Sequence, residues 1–437
     1  MSGFDLLTRR LAVNIFDAVY RQGKGLEEEY SFQMDQQEKS NPLEIRDRTF
    51  VRLLTTVMLR RLGQIDDILS HFLKKPLPEK AFYVQDVLRL GTAQLVFLDT
   101  PPHAAVSTGV SLIKNNRKYA GFAGLANAVL RRIAQNGKKL AEKQNTAKLN
   151  VPDWLFEKWR REYGTETAEK IAKAGLQEAP LDFSVKSDPE FWAKQLDAVI
   201  MPTGTLRREK QASIPQLTGY EEGKWWIQDL SAAMPAKLFR SLKGRTAVDL
   251  CAAPGGKTAQ MITAGADVTA VDISENRIKR LKENLKRLHF NAQTVCADIQ
   301  KWEQEKNRKF DAVLLDAPCS ATGTLRRHPD VACHRTAQDV DRLSGTQKQL
   351  LKTAVHMLND DGEMIYCVCS VLPEEGRQII NDAVKSGIVE RIPLSGSEVP
   401  PEMISKEGDL LIFPFFYESA GGCDGFFAAR LKKGSKK

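Results

Sequence analysis

A short apolar run leads into a glycine-rich turn at residues 247–258, which read Ala-Val-Asp-Leu-Cys-Ala-Ala-Pro-Gly-Gly-Lys-Thr. The apolar half is typical of a buried strand, and the two glycines let the backbone approach a ligand closely. A helix that starts after such a turn directs its N–H groups at that ligand. Similar apolar runs recur at 268–272, 312–316 and 363–368 with helical stretches between them. The pattern therefore predicts a mostly parallel, doubly wound α/β sheet.

Two familiar nucleotide-binding patterns compete for this turn. The dinucleotide fingerprint G-x-G-x-x-G is absent, and a P-loop would need glycine where this chain has Cys251. The run Val313–Asp316 nevertheless imitates the second strand motif of P-loop enzymes. A P-loop ATPase is therefore kept as a minor alternative, which nucleotide-dependent turnover would reveal.

Acidic residues follow the next strand ends, where ligands bind in sheets of this kind. Asp272 lies 23 residues after Asp249, close to the spacing at which an acid holds ribose hydroxyls. It would equally suit a cap on the helix that begins near residue 274. Asp298 fits either an adenine amino group or an ordinary turn. Neither acid decides the function by itself.

Two later strand ends each carry a cysteine, Cys319 after Asp316 and Cys369 after Cys367. A single buried cysteine usually behaves as a small hydrophobic residue. Two cysteines past strand ends that could be neighbours predict a shared pocket instead. The residues 373–375, Pro-Glu-Glu, read as a helix start, which would favour a thiolate at Cys369.

A pair of thiols beside a carboxylate suits methylation of carbon 5 of cytosine. That carbon is a poor nucleophile until a thiolate adds to carbon 6, which is covalent catalysis by cysteine. A second group must then help remove the carbon 5 proton, and an acid near the ring nitrogen stabilises the intermediate. The base must leave its stack to reach such a pocket.

The chain has 437 residues, of which 42% are hydrophobic, so two or three globular domains are expected. Residues 1–145 hold 22 Lys and Arg against 15 Asp and Glu, which suggests a nucleic-acid partner, although solubility alone would explain it equally well. Apolar residues at helical spacing predict an all-helical bundle there. The polar stretch 136–150 is predicted to be a linker or a frayed helix end. The predicted domains are 1–145, a small α/β connecting module at 146–228, and the doubly wound domain at 229–435.

Neither a signal peptide nor a membrane span is expected, because no apolar run reaches about 18 residues. The seven cysteines all lie at or beyond position 251, and their spacing fits neither a zinc site nor a disulfide framework. We therefore expect reduced thiols, no metal and a cytoplasmic location.

Four motifs together resemble the RNA cytosine-5 methyltransferases, in particular the bacterial ribosomal RNA enzymes of the RsmB (Sun, Fmu) type. They lie at 249–258, 315–323, 326–330 and 369–375. The segments 98–106 and 126–132 also resemble the NusB-like helical RNA-binding domain of those enzymes. The resemblance implies a Rossmann-like class I methyltransferase domain, S-adenosylmethionine as cofactor, small-subunit (16S) ribosomal RNA as partner, no DNA, and a monomer.

The resemblance also implies a role for each site residue. Cys369 would be the nucleophile, Cys319 would aid product release, and Asp316 would lie near donor and base. Asp272 would hold the cofactor ribose, and Asp298 its adenine end. The remaining cofactor-binding residues would be Cys251, Ala252, Ala253, Pro254, Gly255, Gly256 and Lys257. The candidates for RNA phosphates, or for a solvated turn, are Arg326, Arg327 and His328.

Three positions depart from the family pattern. Val368 stands where the family usually has threonine, and Cys367 where it usually has alanine. Asp182 stands where the connecting module usually has arginine, which puts an RNA contact of that module in doubt. A non-catalytic RNA-binding factor for ribosome assembly is the rival hypothesis, but every reacting group is present and activity is expected.

Overall fold

The computed structural model describes residues 3–40, 42–209 and 212–434, so residues 1–2, 41, 210–211 and 435 of the predicted domains lie outside the described residues. The α-helices are α1 (Gly3–Gln22), α2 (Leu26–Ser40), α3 (Ile45–Arg60), α4 (Leu62–Phe72), α5 (Phe82–Val96), α6 (Pro102–Lys114), α7 (Ala123–Ala141), α8 (Thr146–Leu149), α9 (Asp153–Tyr163), α10 (Thr165–Ala174), α11 (Pro189–Gln195), α12 (Met234–Lys237), α13 (Gly256–Thr263), α14 (Glu275–Arg287), α15 (Ile299–Lys306), α16 (Val331–His334), α17 (Ala337–His356) and α18 (Arg377–Lys385). The strands are β1 (Leu181–Val185), β2 (Val199–Ile200), β3 (Leu206–Arg208), β4 (Trp225–Ile227), β5 (Thr246–Leu250), β6 (Asp267–Asp272), β7 (Gln293–Cys296), β8 (Phe310–Asp316), β9 (Leu358–Val368), β10 (Val389–Arg391), β11 (Leu410–Ile412) and β12 (Phe426–Lys433).

The chain divides into two compact units. One ends at Leu176 and also includes Leu325–His334, and the other comprises Gln177–Thr324 with the residues from Arg335 on. This division differs from the predicted boundary at 145, because α8 packs against α4 and α10. The predicted connecting module at 146–228 therefore has two parts. Its helices belong to the first unit, and its strands belong to the second.

The first unit is helical, and within the described residues no strand precedes Leu181, as predicted for this part of the chain. Its core includes the fully buried Phe16, Leu54 and Met58. Of the two alternatives for 136–150, the helix end applies at its start, because α7 continues through Ala141. Helix α2 escaped prediction because it is mostly polar. None of the helices in the described part of the chain combines the length and apolar character needed to cross a bilayer.

The second unit contains the predicted doubly wound sheet, whose strands run in the order β10-β12-β9-β8-β5-β6-β7, with β11 pairing to β12. The five strands from β9 to β7 are parallel, so their carboxyl ends lie along one edge. Strand β12 joins β9 antiparallel and extends the sheet. The fully buried runs of β5 and β8 explain why the parallel strands were visible in the sequence.

A smaller sheet of order β2-β3-β1-β4 precedes the large one in the same unit. Antiparallel pairing sets Asp182 of β1 directly opposite Arg207 of β3. Two bonds of 2.7 Å join the guanidinium to the carboxylate, and both side chains are fully buried. The same guanidinium donates to the carbonyls of Ala420 and Gly422, while Asp182 also accepts from Leu230 N–H. The arginine that the family has at position 182 is absent here, but the neighbouring strand carries an arginine, Arg207, directly opposite.

We expect Arg207→Ala to lower the free energy of unfolding of this unit by about 3–5 kcal/mol, because it leaves the Asp182 carboxylate buried without its charge partner. Chemical denaturation monitored by tryptophan fluorescence would measure the change. Lys348→Ala is the control, since Lys348 and Asp382 form a well-exposed pair whose loss should cost less than about 1 kcal/mol. Equal effects of the two substitutions would contradict this account of the buried pair.

Candidate active site

Two loops leave the sheet side by side because β8 and β9 are parallel neighbours. Asp316, the last residue of β8, pairs with Cys367 near the end of β9. Beyond these ends, Ala317 N–H donates to Cys367 O at 2.9 Å, and Gly323 N–H donates to Cys369 O at 3.1 Å. The backbone of one loop is therefore held against the other.

The pairing of these loops brings the two predicted cysteines into contact. Cys319 Sγ and Cys369 Sγ lie 3.4 Å apart, and both residues are partly exposed. The hydrogen bond between the thiols, followed by burial, raises the pKa of Cys319 well above its ordinary value. Thiols this close oppose each other's ionisation, because two thiolates would repel.

The predicted helix start at 373 is wrong, because residues 373–376 form a turn and α18 begins at Arg377. The field of a helix falls off within about one turn. A helix dipole therefore gives no support for a thiolate at Cys369.

In place of a helix start, the loop after β9 provides a buried carboxylate. Glu375 is fully buried and accepts from Ser320 N–H at 2.7 Å and from Ser320 Oγ at 2.5 Å. A chain of hydroxyl groups continues from Ser320 through Thr322 to Ser370 at 3.0 and 3.1 Å. The sequence analysis treated Glu375 only as part of a helix start. Its burial, which is rare for glutamate, is the signal that reveals it.

Asp316 is held in place by two side chains at the same edge of the sheet. Lys257 Nζ donates to Asp316 Oδ2 at 2.8 Å, and Cys367 Sγ donates to Oδ1 at 3.5 Å. Burial opposes the charge of Lys257, but the Asp316 carboxylate outweighs it, so the pKa of Lys257 is raised. The pair thus places a fixed carboxylate beside the two cysteines. Cys367, a departure from the family pattern, contacts Asp316 and is fully buried.

The glycine-rich turn borders a cavity of about 410 Å³. Gly255 has φ of 102°, a conformation that favours glycine, and α13 begins at the next residue. The cavity is lined by Ala252–Lys257, Asp249 and Asp316, and on another side by residues 226–229 after the small sheet. Its volume lies within the range of small-molecule sites. Cys251 lies at the start of the turn with φ of 63°, and burial raises its pKa to about 12.

Asp249 supplies this cavity with an unused acceptor. Its Oδ2 accepts from Thr258 Oγ1 at 2.6 Å, whereas its buried Oδ1 has no hydrogen-bond partner among the described residues. Burial raises the pKa of Asp249 to about 7, against the lowering effects of Thr258 and Lys257. A buried oxygen without a donor suits a ligand that brings its own N–H groups.

The other two predicted acids lie at the ends of β6 and β7 rather than in the cavity lining. Asp272 accepts from Ala253 N–H at 3.2 Å and from Ser274 N–H at 3.1 Å, and Arg277 lies 3.3 Å from its carboxylate. Asp298 caps α15 by accepting from two backbone N–H groups. Ser274, and not Asp272, is the cap of α14, whereas Asp298 caps α15. The ligand roles of both acids stay predictions.

Comparison with known proteins identifies the family. A family model described as 16S rRNA methyltransferase RsmB/F matches residues 237–432, and a NusB family model matches residues 7–135. Ribosomal RNA small subunit methyltransferase B of Photorhabdus laumondii is 34% identical over 403 residues, which cover 89% of this chain and 91% of that protein. The chain belongs to the RsmB/F methyltransferase family. The corresponding protein of Xylella fastidiosa is 33% identical and covers 97% of this chain and 99% of its own length.

Solved structures agree with this fold. The crystal structure of PH0851 superposes with a TM-score of 0.77 at 21% identity, covering 97% of this chain and 99% of that one. The NusB-like helical region and the Rossmann-like domain expected from the sequence are thus confirmed.

As a member of the RsmB/F family, the chain uses S-adenosylmethionine as its methyl donor. The residues present fit that cofactor. The unpaired Asp249 oxygen can accept a hydrogen bond from the ammonium group of the cofactor, and the glycine turn lets the protein backbone approach the cofactor closely.

The three RNA candidates of the family motif at 326–330 lie in the helical unit. Arg326 is only 2% exposed, and its carbonyl accepts from Arg60 Nη2 at 2.9 Å. Asp330 accepts from Leu26 N–H at 3.2 Å. Arg327 and His328 are partly exposed. Burial makes Arg326 a poorer candidate for phosphate binding than its two neighbours.

We expect Asp249→Asn to gain stability relative to the unsubstituted chain as the pH rises from about 5 to about 8. With a pKa of about 7, the folded carboxyl keeps a proton that the unfolded carboxyl, whose pKa is about 4, has already lost. The stability linked to this proton is complete below about pH 4 and lost as the pH rises through about 7. Denaturation of both proteins across this range measures the difference.

Asp311→Asn is the matched control for this measurement. Hydrogen bonds from Asn359 and Thr246 lower the pKa of Asp311, so its contribution changes only at acid pH. Its stability difference from the unsubstituted chain should stay constant between about pH 5 and 8. A constant difference for Asp249→Asn as well would show that Asp249 is ionised throughout.

Proposed function

We propose that this chain transfers a methyl group from S-adenosylmethionine to carbon 5 of a cytosine in small-subunit (16S) ribosomal RNA, with Cys369 as nucleophile. The observation that carries the proposal is the contact of 3.4 Å between Cys319 Sγ and Cys369 Sγ, beside the Lys257–Asp316 pair. The names of the relatives, ribosomal RNA small subunit methyltransferase B, support ribosomal RNA as the substrate.

The first step is the attack of the Cys369 thiolate on carbon 6 of a cytosine turned out of its stack. A bond forms between Sγ and carbon 6, and the electron pair of the ring double bond makes carbon 5 nucleophilic. Asp316, oriented by Lys257, would face the ring nitrogen and stabilise the added charge. S-adenosylmethionine supplies a methyl group on a sulfonium, an electrophile that carbon 5 can attack.

Product release reverses the first bond. The hydrogen on carbon 5 leaves as a proton, its electron pair restores the ring double bond, and the bond from carbon 6 to Sγ breaks to return the Cys369 thiolate. Cys319 lies within contact distance of that sulfur, so its thiol group is assigned to this stage. The replacement of the family's threonine by Val368 removes no reacting group, because Val368 is fully buried in the core behind the loop.

We expect Cys369→Ala to abolish both methyl transfer and covalent attachment to RNA. Cys319→Ala should still allow attachment but stall release, so a protein–RNA adduct accumulates. Unmodified small-subunit ribosomal RNA, labelled cofactor and a denaturing gel provide both measurements. The partly exposed Cys333 lies in the helical unit, and Cys333→Ala is the control that should leave both reactions intact.

An adduct with Cys369→Ala, but not with Cys319→Ala, would reverse the assignment of the two thiols. RNA binding without methyl transfer by the unsubstituted chain would favour the assembly-factor alternative instead.

We also expect RNA affinity to fall steeply with salt, because the N-terminal region is basic. Arg131 and Arg132 are exposed on α7. Replacing both by glutamate should make the slope of log affinity against log salt shallower by about 0.7–0.9 for each phosphate that the protein no longer neutralises. The control replaces the exposed Lys352 and Lys385 of the other unit in the same way. Equal slopes for the two variants would remove α7 from the RNA-binding surface.

A further inference from the structure

The buried carboxylate of Glu375 lies between the two cysteine loops. Its Oε1 accepts from Ser320 N–H at 2.7 Å and from Gln347 Nε2 at 3.3 Å, and its Oε2 accepts from Ser320 Oγ at 2.5 Å. All these donors are neutral. Gln347 also donates to Pro318 O at 2.9 Å, so the residues on both sides of Cys319 are held. An ionised group can remain in such a site only where several hydrogen bonds compensate it.

The backbone and neighbours of Glu375 fix the second loop as well. Its carbonyl accepts from Tyr366 Oη at 2.6 Å, which anchors the turn to β9. The hydroxyl chain from Ser320 through Thr322 reaches Ser370, the residue directly after Cys369. One side chain thus connects the loop that carries Cys319 with the loop that carries Cys369. This connection adds to the backbone hydrogen bonds that join the same two loops.

The negative charge of Glu375 acts on the thiol of Cys319. The thiol contact with Cys369, burial and then the negative charge of Glu375 each raise the pKa of Cys319. Glu375 binds the N–H group of the very next residue, Ser320. Because two adjacent thiolates would repel each other, only one of the pair ionises readily, and the negative charge beside Cys319 disfavours the thiolate there.

Most of the other ionisable groups near Cys319 carry no net charge, either alone or as a pair. Tyr366 is fully buried, with its pKa raised chiefly by burial, so it is neutral. Cys251 packs in the same core cluster and is neutral as well, because burial raises its pKa to about 12. Lys257 and Asp316 form an ion pair whose charges offset each other. Arg335 donates to Ser320 O at 3.2 Å and brings a positive charge to the Cys319 loop.

We propose that Glu375 is the positioning residue that makes Cys369, and not Cys319, the nucleophile. It holds the two loops so that the thiols touch, and its charge keeps the proton on Cys319 while Cys369 attacks. Once Cys369 is bonded to carbon 6 its sulfur is an uncharged thioether, so it no longer opposes ionisation of Cys319. Cys319 can then lose its proton to water, and the resulting thiolate accepts the carbon 5 proton. The catalytic role of Glu375 rests on the proposed function, but the test of thiol reactivity does not depend on it.

The test measures the order in which the thiols react in the full-length protein, without RNA or cofactor. Iodoacetamide alkylation is followed over pH by mass spectrometry of the peptides that contain Cys319 and Cys369. In the unsubstituted chain Cys369 should react first. Glu375→Gln keeps the shape but removes the charge, and should speed alkylation of Cys319 about 3- to 10-fold at a given pH below its midpoint, as expected for a pKa lowered by about 0.5–1.

The matched control is Glu374→Gln, which makes the same chemical change one residue earlier. It should leave the order and rates of alkylation unchanged. In a Cys369→Ala background, Glu375→Gln should still lower the pH at which Cys319 becomes reactive. An unchanged Cys319 profile in both backgrounds would overturn the proposal.

Two further variants separate charge from geometry and serve if Glu375→Gln fails to fold. Glu375→Asp and Ser320→Ala both keep the charge but loosen the connection between the loops. Each should preserve the reaction order of the thiols and lower kcat for methyl transfer with little change in KM for RNA. A reversed order in either variant would contradict the role assigned to the charge.

The outcome is distinguishable from failure of the proposed function. If the unsubstituted chain alkylates as expected but transfers no methyl group to RNA, the methyltransferase proposal fails and the control of thiol reactivity stands. If methyl transfer proceeds and Glu375→Gln changes neither alkylation nor kcat, the inference about Glu375 fails alone.

Discussion

The parallel pairing of β8 with β9 is the constraint on which the site depends. Backbone hydrogen bonds set Asp316 opposite Cys367 and so fix the point at which each chain leaves the sheet. Because the strands are parallel, both loops start at the same edge. The contact between Cys319 and Cys369 follows from this register. A shift by one residue would turn the side chains to opposite faces and separate the loops.

Around this edge the protein buries Asp249 and Glu375, acids that a simple core would exclude, and keeps Asp316 partly exposed. Each of the three has a different form of compensation: a hydroxyl donor for Asp249, a lysine for Asp316, and a set of neutral N–H and O–H groups for Glu375. The one with the least compensation, Asp249, has its pKa raised to about 7 and retains an unpaired oxygen. Such concentrated burial of acids is unfavourable for stability and is typical of sites that bind or react.

A cation on the opposite strand explains how the departure from the family pattern at Asp182 is tolerated. Asp182 would leave an uncompensated carboxylate in the small sheet if the strand opposite it lacked a cation. The antiparallel register supplies Arg207 at that position, and the guanidinium also binds the loop at 420–422. The Asp182–Arg207 pair therefore has a structural role inside the unit. Although position 182 lacks the family's arginine, the buried charges of the module remain balanced.

The sequence by itself determined the class of the sheet, the helical first third and the residues at the strand ends. Buried parallel strands must be apolar throughout, and glycine must stand where the backbone meets a ligand, so both leave local patterns. It could not decide between a linker and a helix end at residues 136–141, nor determine that Arg326 is buried or that residues 373–376 form a turn. Those outcomes depend on which surfaces meet in space. Tertiary structure alone decided that Glu375 reaches Ser320, because a hydrogen bond across 55 residues of chain has no local sequence period.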